Sequence, residues 1–254
     1  MHGSNPDMEA LILAAGVGAR LAPKHVAPKV LLDFDGRSLL ARHLATLERL
    51  GVSRATLCVG HCAEAIVAAT AALDPKLEVD FVLNEAYREG SLRSLWAARA
   101  LLEPGRDLLL MDADVLYAPA VLARLIDSPH RNCLLLDRHF ESGDEPVKVR
   151  LQAGRIVEFR KRPDPTQAFD VEGESVGFFK LYGPALVALR ELVERYVDRG
   201  DSHLPHEEAL RELFLTGAFP VGVEDVTGLP WLEIDFPADL TRARREVLPE
   251  VDRG

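Results

Sequence analysis

Short apolar runs alternate along the first half of the chain with stretches in which apolar residues recur every three or four positions. Runs of this length are typical of buried strands, and the wider spacing is typical of helices with one buried face. Because strands and helices alternate, we expect a largely parallel sheet covered by helices on both faces. The predicted strands are 11–13, 30–34, 55–59, 79–83, 107–111 and 133–136, and the predicted helices are 38–50, 63–73, 91–101 and 119–126.

The pattern changes after Asp137. Two segments with alternating polar and apolar residues flank Ala153-Gly154, which predicts a hairpin. We interpret the hairpin and the strand after it, over residues 137–182, as an antiparallel lid and acceptor region on one end of the sheet. The predicted strands in the second half are 147–151, 155–160, 174–181 and 219–223, and the predicted helices are 184–197, 205–214 and 237–247.

Length and composition predict one α/β domain. The chain has 254 residues, 48% of them hydrophobic, which suits one large core better than two small ones. We expect this domain over residues 8–254, after a disordered or vector-derived tail over residues 1–7. No apolar stretch approaches the ~18 residues of a membrane span, and the N-terminus lacks the apolar core of a signal peptide. We expect a cytoplasmic protein with reduced thiols, since no CxxC spacing occurs among Cys58, Cys62 and Cys133.

One stretch differs in charge from the rest of the chain. The formal net charge is -10, which argues against general nucleic-acid binding, yet residues 10–32 contain no Asp or Glu. Gly16 and Gly18 let the backbone turn tightly after the first strand and expose amide groups to a ligand. Amides beside basic side chains favour a di- or triphosphate. The basic residues of this stretch are Arg20, Lys24 and Lys29.

Two common nucleotide-binding motifs do not match this stretch. Position 21 is Leu, so the GxGxxG dinucleotide fingerprint is incomplete, and the chain has no GxxxxGK[ST] of a P-loop. A glycine turn that binds nothing remains the alternative interpretation.

Acidic residues follow two predicted extended segments. Asp112 and Asp114 come directly after the strand over 107–111, at the strand end where open α/β sheets bind ligands. Carboxylates there can hold a hard cation, which a nearby triphosphate would require. Glu233 and Asp235 alternate on one face of a later extended segment. We interpret a third polar segment as a loop that leads into a helix, although it has possible zinc ligands in His203, His206 and Glu207.

The sequence LAAGVGARL over residues 13–21, followed by Pro28-Lys29, resembles the signature of the sugar-phosphate nucleotidyltransferases. The resemblance covers most of the chain and implies a Rossmann-like, mixed and mostly parallel sheet of the glycosyltransferase-A or nucleotidyltransferase type. It implies Mg²⁺ as cofactor. The implied catalytic residues are Arg20, Lys29, Asp114 and Asp235, and the implied metal ligands are Asp114, Asp235 and Asp112. The implied nucleotide-binding residues are Leu13, Ala14, Ala15, Gly16, Gly18, Arg20, Lys29, Gly60, Asn84, Gly90, Ser91 and Asp112.

Two strings look most like one branch of that family. NEAYREGSLRSLWAARALL over 84–102 and MDADVLY over 111–117 are similar to the phosphocholine, inositol-phosphate and phosphonate cytidylyltransferases. This resemblance implies transfer of CMP from CTP to a small phospho-alcohol or phosphonate, such as phosphocholine, aminoethylphosphonate or inositol phosphate, with release of pyrophosphate. The residues expected to bind the acceptor are Lys148, Lys161, Glu174, Trp231 and Glu233.

Three alternatives remain open. A hexose-1-phosphate nucleotidyltransferase would use the same chemistry on a different acceptor. A non-catalytic regulatory domain would bind the nucleotide alone. A glycosyltransferase would use its DxD to hold a nucleotide-sugar and would release a nucleoside diphosphate. The sequence allows a homodimer without requiring one.

Overall fold

The computed structural model describes residues 8–21, 27–140 and 143–253. The predicted tail over residues 1–7 and the predicted basic residue Lys24 lie outside these ranges. The strands are β1 (Met8–Ala14), β2 (Asp33–Phe34), β3 (Arg37–Ser38), β4 (Arg54–Val59), β5 (Glu78–Leu83), β6 (Asp107–Asp112), β7 (Val115–Tyr117), β8 (Cys133–Asp137), β9 (Lys148–Gln152), β10 (Arg155–Arg160), β11 (Val171–Tyr182), β12 (Gly222–Asp225) and β13 (Trp231–Glu233). The helices are α1 (Leu39–Arg49), α2 (Ala63–Leu73), α3 (Ser91–Ala97), α4 (Pro119–Ile126), α5 (Gly183–Asp198), α6 (Glu207–Leu215), α7 (Pro237–Arg242) and α8 (Leu248–Val251).

Nine strands form one sheet. Its main path runs β10-β9-β11-β6-β1-β4-β5, while β8 pairs with both β11 and β12. The strands β6, β1, β4 and β5 are parallel neighbours, whereas β11 runs antiparallel to β6, β8 and β9. The predicted mixed α/β fold is therefore confirmed. The antiparallel strands that we predicted as a lid join the main sheet through β11.

Local sequence explains several element boundaries. The Ser38 hydroxyl accepts a hydrogen bond from the Ala41 N–H at 3.1 Å and caps α1. Pro119 occupies the first turn of α4, where a missing N–H leaves no helical hydrogen bond unmade. Ala153 and Gly154 both have positive φ angles, 49° and 74°, as a tight turn between two twisted strands requires.

The structure corrects some predicted boundaries. The segment predicted as a strand over 30–34 begins as a 3-10 turn, Lys29–Leu31, and only its end forms β2. The strand predicted over 219–223 is shifted to β12. The helix predicted over 237–247 is α7 followed by a wider turn, Ala243–Val247. Pro249 lies just after that turn and cannot donate the N–H that a continuous helix needs there. β7, which we did not predict, pairs with β13.

The parallel strands end together at one edge of the sheet. Leu13 of β1 pairs with Asp112 of β6, and Ala14 pairs with Val59 of β4. Three segments therefore leave neighbouring strands side by side. They are the glycine stretch at Gly16 and Gly18 after β1, the turn at Gly60 after β4, and the aspartate turn over residues 112–114 at the end of β6. This edge is where open α/β sheets bind ligands.

Helices cover both faces of the sheet and bury two large cores. One face packs against side chains such as Leu44 of α1 and Val121 of α4, and the other packs against Leu95 of α3 and Leu186 of α5. Cys58 and Cys133 are buried thiols, and Cys62 is partly exposed. Among the described residues, no helix combines the length and apolarity needed to cross a membrane.

Candidate active site

The glycine stretch forms a tight loop at the end of β1. Gly18 has a φ of +62°, and a Cβ at this position would lie 3.0 Å from Cγ of Lys29. The Leu21 N–H donates to the Gly18 carbonyl at 3.0 Å and closes a 3-10 turn, Ala19–Leu21, that carries Arg20. Glycine is therefore needed at position 18 both for the backbone conformation and for the close approach of Lys29.

The aspartate turn follows β6 and is supported from behind by α1. The neutral His43 ring donates from Nε2 to the Ala113 carbonyl at 3.1 Å, so its Nδ1 accepts from the Tyr117 hydroxyl at 3.2 Å. Burial lowers the pKa of His43 to about 4. The buried ring thus fixes the backbone between Asp112 and Asp114 while carrying no charge at neutral pH.

Lys29 joins the glycine loop to the acidic residues. Its Nζ lies 2.7 Å from Oδ2 of Asp114 and 2.6 Å from Oδ1 of Asp235. Arg20 donates to the other oxygen of Asp235 at 2.9 Å. Burial by itself would lower the pKa of Lys29, but the two carboxylates outweigh it and the pKa is raised. The four predicted catalytic residues therefore come together as one ion-paired group.

A small third core holds three of these four residues in place. It contains Leu21, Leu116 and Ile234, each at most 2% exposed, and these residues lie one or two positions from Arg20, Asp114 and Asp235. The Ile234 N–H also donates to the Asp114 carbonyl at 2.9 Å. Packing of distant segments, not a local motif, thus sets the distance between the two aspartates.

Three carboxylates form a cluster that fits a divalent cation. Asp114, Glu233 and Asp235 each offer one oxygen, and these oxygens lie within 4.8 Å of one another. Burial raises the pKa of Glu233 well above its ordinary value, and the charges of Asp114 and Asp235 add to this effect. Carboxylate oxygens are ligands that Mg²⁺ accepts, and a bound cation would have to displace the Lys29 ammonium from Asp114 and Asp235. Among the described residues, Asp112 is outside this cluster.

A cleft of about 480 Å³ lies beside the glycine loop, and we call it the nucleotide cleft because most of the predicted nucleotide-binding residues line it. Burial raises the pKa of Asp112 in this cleft, and the charges of Glu207 and Asp114 raise it further. A Cβ on Gly177 would lie 2.4 Å from Oδ2 of Asp112, so β11 contacts the aspartate closely. The predicted residues that line the cleft are Leu13, Ala14, Ala15, Gly16, Gly18, Arg20, Lys29, Gly90, Ser91, Asp112, Asp114, Lys161, Glu233 and Asp235.

Two predicted nucleotide-binding residues lie beneath this cleft instead. Asn84 is 3% exposed, donates from Nδ2 to the Ser94 hydroxyl at 3.1 Å and accepts from the Ala86 N–H at 3.0 Å. A Cβ on Gly60 would lie 2.6 Å from Cβ of Tyr87. Both residues shape the loop from Asn84 to Ser91 from below, and neither is among the described residues that line the cleft.

A second cavity, of about 300 Å³, adjoins the carboxylate cluster. Glu233 and Asp235 line both cavities, and the predicted acceptor residues Glu174 and Trp231 line this one. The Trp231 indole N–H donates to Oδ2 of Asp137 at 2.8 Å, which orients both side chains. The acidic and aromatic lining residues are Asp137, Asp144, Glu145, Glu174, Glu233, Asp235, Asp239, Phe140, Trp231 and Phe236.

The two predicted acceptor lysines have different surroundings. The Lys148 ammonium donates to the carbonyls of Gly143 and Lys161, at 2.5 and 2.9 Å, and Lys148 is not among the described residues lining either cavity. Lys161 lines the nucleotide cleft and lies 3.4 Å from Glu145. Glu145 also contacts Arg20, so it connects the hairpin side of the cleft to the glycine loop.

The sequence analysis did not predict all of the lining residues. His206 and Glu207, which we considered only as zinc ligands, line the nucleotide cleft, and the described residues show no cluster that unites them with His203. Asp137, Asp144 and Phe140 line the second cavity. Asp137 directly follows a predicted apolar strand, a position that could have identified it as a site residue. No pattern in the sequence identifies Phe140 or Asp144 in the same way.

Known proteins resemble this chain in sequence. A family model of the MobA-like NTP transferase domain matches residues 10–158. The chain is 30% identical over 246 residues to the CMP-5'-(3-aminopropyl)phosphonate synthase of Streptomyces rubellomurinus. The aligned region covers 93% of this chain and 38% of that protein. It is 31% identical over 242 residues to the bifunctional IPC transferase and DIPP synthase of Rubrobacter xylanophilus, covering 94% of this chain and 52% of that protein. The chain thus spans well under two thirds of either curated relative.

Solved structures share the fold. The inositol-1-phosphate CTP transferase of T. maritima superposes with a TM-score of 0.80 at 25% identity, covering 100% of this chain and 99% of that one. A CTP:phosphocholine cytidylyltransferase of Streptococcus pneumoniae gives a TM-score of 0.71 at 18% identity, with 94% and 98% covered, and at this identity it bears on the fold alone. The predicted fold and the predicted family resemblance are confirmed.

Proposed function

The chain belongs to the family of MobA-like NTP transferase domains, and from this membership we propose that it transfers CMP from CTP to a small phosphonate or phosphate acceptor. The observation that carries the proposal is the contact of Lys29 with both Asp114 and Asp235 beside the glycine loop. It brings a phosphate-binding loop and a carboxylate cluster into one cleft. The relatives named for CMP-phosphonate synthesis and for inositol-1-phosphate CTP transfer support CTP and this acceptor class.

The reaction needs positioning and charge neutralisation more than proton transfer. An anionic oxygen of the acceptor attacks the α-phosphorus of CTP, and a new P–O bond forms. The bond from the α-phosphorus to the bridging oxygen breaks in line, and pyrophosphate leaves with its electron pair. Because the acceptor oxygen is already ionised, no general base has to remove a proton. Electrostatic stabilisation then accounts for most of the catalysis.

The basic residues of the cleft would bind the triphosphate. The amides of Gly16 to Gly18 and the Arg20 guanidinium bind the β- and γ-phosphates. Lys29 binds the α-phosphate, where charge increases during transfer. In the structure Arg20 and Lys29 contact carboxylates, so substrate binding exchanges these carboxylates for phosphate oxygens.

The carboxylate cluster fits the cofactor expected of this reaction. When bound, Mg²⁺ would supply positive charge that neutralises the phosphate oxygens of both substrates. Asp114, Glu233 and Asp235 are the residues that would hold it. Their oxygens converge beside Lys29, so ammonium and cation would serve the same phosphate group.

The second cavity would bind the far end of the acceptor. Among the described residues, its lining has seven acidic residues and three aromatic ones, against His139 and Arg242 as basic residues. A cationic amine suits carboxylates and aromatic faces, whereas the hydroxyls of a sugar or an inositol gain less from them. We therefore infer an acceptor with an anionic phosphonate or phosphate at one end and an amine at the other.

Pyrophosphate release tests this function. CTP, UTP, GTP, ATP and dTTP are each combined with Mg²⁺ and one acceptor: 3-aminopropylphosphonate, 2-aminoethylphosphonate, phosphoethanolamine, phosphocholine, inositol 1-phosphate or glucose 1-phosphate. We expect turnover with CTP and an amine-bearing acceptor. Turnover with glucose 1-phosphate alone would instead identify a sugar nucleotidyltransferase. Nucleotide binding without turnover for any acceptor would contradict the catalytic proposal and favour a regulatory domain.

A further inference from the structure

A polar cluster in the nucleotide cleft has no part in the mechanism proposed above. His206 and Glu207 lie at the start of α6 and line the cleft next to Ser91 and Asp112. The His206 side chain is 4% exposed. Its backbone N–H donates to the Ser91 hydroxyl at 2.9 Å, and its Nδ1 lies 3.1 Å from the same oxygen. Nδ1 also lies 3.1 Å from Oε2 of Glu207, so this ring nitrogen faces both the Ser91 hydroxyl and a carboxylate.

The segment that carries His206 is fastened to the loop before α3. The Ser202 hydroxyl donates to Glu89 at 2.8 Å, and the Leu92 N–H donates to the Leu204 carbonyl at 3.2 Å. A Cβ on Gly90 would lie 2.5 Å from the His203 carbonyl oxygen, so only glycine lets the two backbones meet. Residues 202–207 and residues 89–92 therefore form one surface of the cleft, and His206 has a fixed position on it.

This surface has hydrogen-bonding capacity that the protein does not use. Among the described residues, Nε2 of His206 is a buried atom without a hydrogen-bond partner, and Oε2 of Glu207 makes no hydrogen bond either, although it lies 3.1 Å from Nδ1 of His206. The Nε2 atom lies 3.6 Å from Oδ1 of Asp112, beyond hydrogen-bond distance. An unpaired buried polar atom is destabilising, and a bound ligand with matching groups would remove that cost. The matching groups are N–H or O–H donors for the carboxylates and a hydrogen-bonding group for Nε2 of the imidazole.

We propose that Glu207 and His206 determine which nucleoside the cleft accepts. Glu207 accepts a hydrogen bond from a donor of the nucleoside, either a ribose hydroxyl or the 4-amino group of cytosine, and Nε2 of His206 forms a hydrogen bond with a polar group beside it. This inference rests on the proposed function, since it assumes that the cleft beside the glycine loop binds a nucleotide. A carboxylate is the usual partner both of a ribose hydroxyl and of the cytosine amino group.

Equilibrium binding tests the assignment independently of turnover. CTP, 2′-deoxy-CTP, 3′-deoxy-CTP and UTP are titrated by calorimetry, with Mg²⁺ and without acceptor, into the wild type and Glu207→Gln. The amide keeps the size of the side chain but replaces one acceptor oxygen by a donor. The matched control is Glu212→Gln on the same helix, whose carboxylate faces Arg195 at 2.9 Å. Pyrophosphate release is measured on the same samples.

We expect Glu207→Gln to weaken CTP binding roughly 10- to 100-fold, as for the loss of a hydrogen bond to a charged group, while Glu212→Gln leaves it unchanged. The preference for CTP over the deoxy nucleotides should shrink if the donor is a ribose hydroxyl, and the preference over UTP should shrink if it is the amino group. Unchanged preferences in Glu207→Gln, or a wild type that binds all four nucleotides equally, would overturn the assignment.

The same samples separate this inference from the proposed function. Changed nucleotide preferences in a protein that releases no pyrophosphate would support the role of Glu207 and reject the transferase function. Turnover with CTP and unchanged preferences would do the reverse. A wild type that binds none of the nucleotides would reject both.

Discussion

The two cavities that meet at Glu233 and Asp235 differ in how their charges are balanced. In the nucleotide cleft, Arg20 and Lys29 contact carboxylates within 2.9 Å, so its cations already have partners. The second cavity, which we call the acceptor cavity, is lined mostly by acidic and aromatic side chains. Some of its carboxylates are paired, since Glu145 contacts Arg20 and Asp144 contacts Arg162, but Asp137 is held by N–H groups that carry no charge. The first site must therefore exchange one set of anions for another when a nucleotide binds, whereas Asp137 in the second leaves a negative charge for a ligand to neutralise.

This difference explains why one enzyme could select two dissimilar substrates at neighbouring positions. With these lining residues, we expect the acceptor cavity to disfavour a triphosphate and to favour an amine. Long-range attraction and repulsion of this kind orient substrates before any close contact forms. The boundary lies at the carboxylate cluster, where both phosphates would meet. Substitutions in the two cavities test this difference, and their expected effects range from a loss of turnover to a modest change in cation affinity.

Removal of one cluster carboxylate should have the largest effect. Asp114→Asn leaves the shape of the side chain but removes the charge that faces Lys29. We expect kcat to fall by about 10²- to 10³-fold, comparable with the loss of one preorganised electrostatic contact in a transition state. Steady-state kinetics at several Mg²⁺ concentrations would measure it. The control is Asp80→Asn, an exposed residue on β5. Turnover of Asp114→Asn within a few-fold of the wild type would contradict the proposed role.

The buried His43, which supports the aspartate turn of the nucleotide cleft, should make the stability of the protein sensitive to acid. Its folded-state pKa is about 4, against 6.5 ordinarily, so the unfolded chain takes up the proton first as the pH falls. The stability due to this group is complete above pH 6.5 and is lost between pH 6.5 and 4. The shift corresponds to ~3 kcal/mol of unfolding free energy.

Urea unfolding at pH 7, 5.5 and 4.5 would measure that loss. His43→Gln keeps an N–H that can reach the Ala113 carbonyl but does not titrate, so its stability should fall less over this range than that of the wild type. The exposed His130 offers the control variant His130→Gln, which should follow the wild type. Equal losses in the wild type and in His43→Gln would show that other groups cause the acid sensitivity.

In the acceptor half, Asp137 should contribute to the binding of the amine. Its carboxylate is held by the Trp231 indole and by the His139 N–H, each at 2.8 Å. We expect Asp137→Asn to raise the KM of an aminoalkylphosphonate by roughly 10- to 100-fold and to leave the KM of CTP unchanged, since a charge-assisted contact is lost. Propylphosphonate, which has no amine, should bind both proteins equally. The exposed Asp225 provides the control Asp225→Asn.

Two other results would contradict the proposed difference between the nucleotide cleft and the acceptor cavity. If Asp137→Asn weakened CTP and the acceptor equally, the cavities would not be separate sites. If Asp137→Asn weakened the binding of propylphosphonate as much as that of the aminoalkylphosphonate, Asp137 would act through the shape of the cavity instead of its charge.

The nucleotide half was largely predictable because its residues are close in the sequence. The glycines, Arg20 and Lys29 come from one stretch, and Asp112 and Asp114 directly follow an apolar strand. The ends of parallel strands necessarily meet at one edge of the sheet. Periodicity also predicted β4, β6 and α4 closely, because buried strands and one-sided helices leave a direct signal in the sequence.

The acceptor half could be predicted only in part because its residues come from separate segments. Asp137 and Glu174 are brought together by the pairing of β8 with β11, and Trp231 is positioned by the pairing of β13 with β7, which no local pattern reveals. Lys148 looked suitable for an acceptor phosphate, yet its ammonium holds two backbone carbonyls. The position of His206 in the cleft depends on the packing of residues 202–207 against the loop before α3, which the sequence does not show. A polar residue in a sequence does not show whether its partner is a ligand or the protein backbone.

The smallest predicted effect concerns competition between Lys29 and a metal ion. Without a nucleotide, the Lys29 ammonium lies between two of the three cluster carboxylates, so a divalent cation has to displace it. We expect Lys29→Met to bind Mn²⁺ about tenfold more tightly than the wild type when no nucleotide is present, because the competing charge is gone. Electron paramagnetic resonance of free Mn²⁺ would measure the affinity. Lys161→Met is the control, since Lys161 lines the same cleft but contacts Glu145. Weaker or unchanged Mn²⁺ binding by Lys29→Met would mean that Lys29 does not compete with a cation at this cluster, and the nucleotide half would then not depend on an exchange of partners.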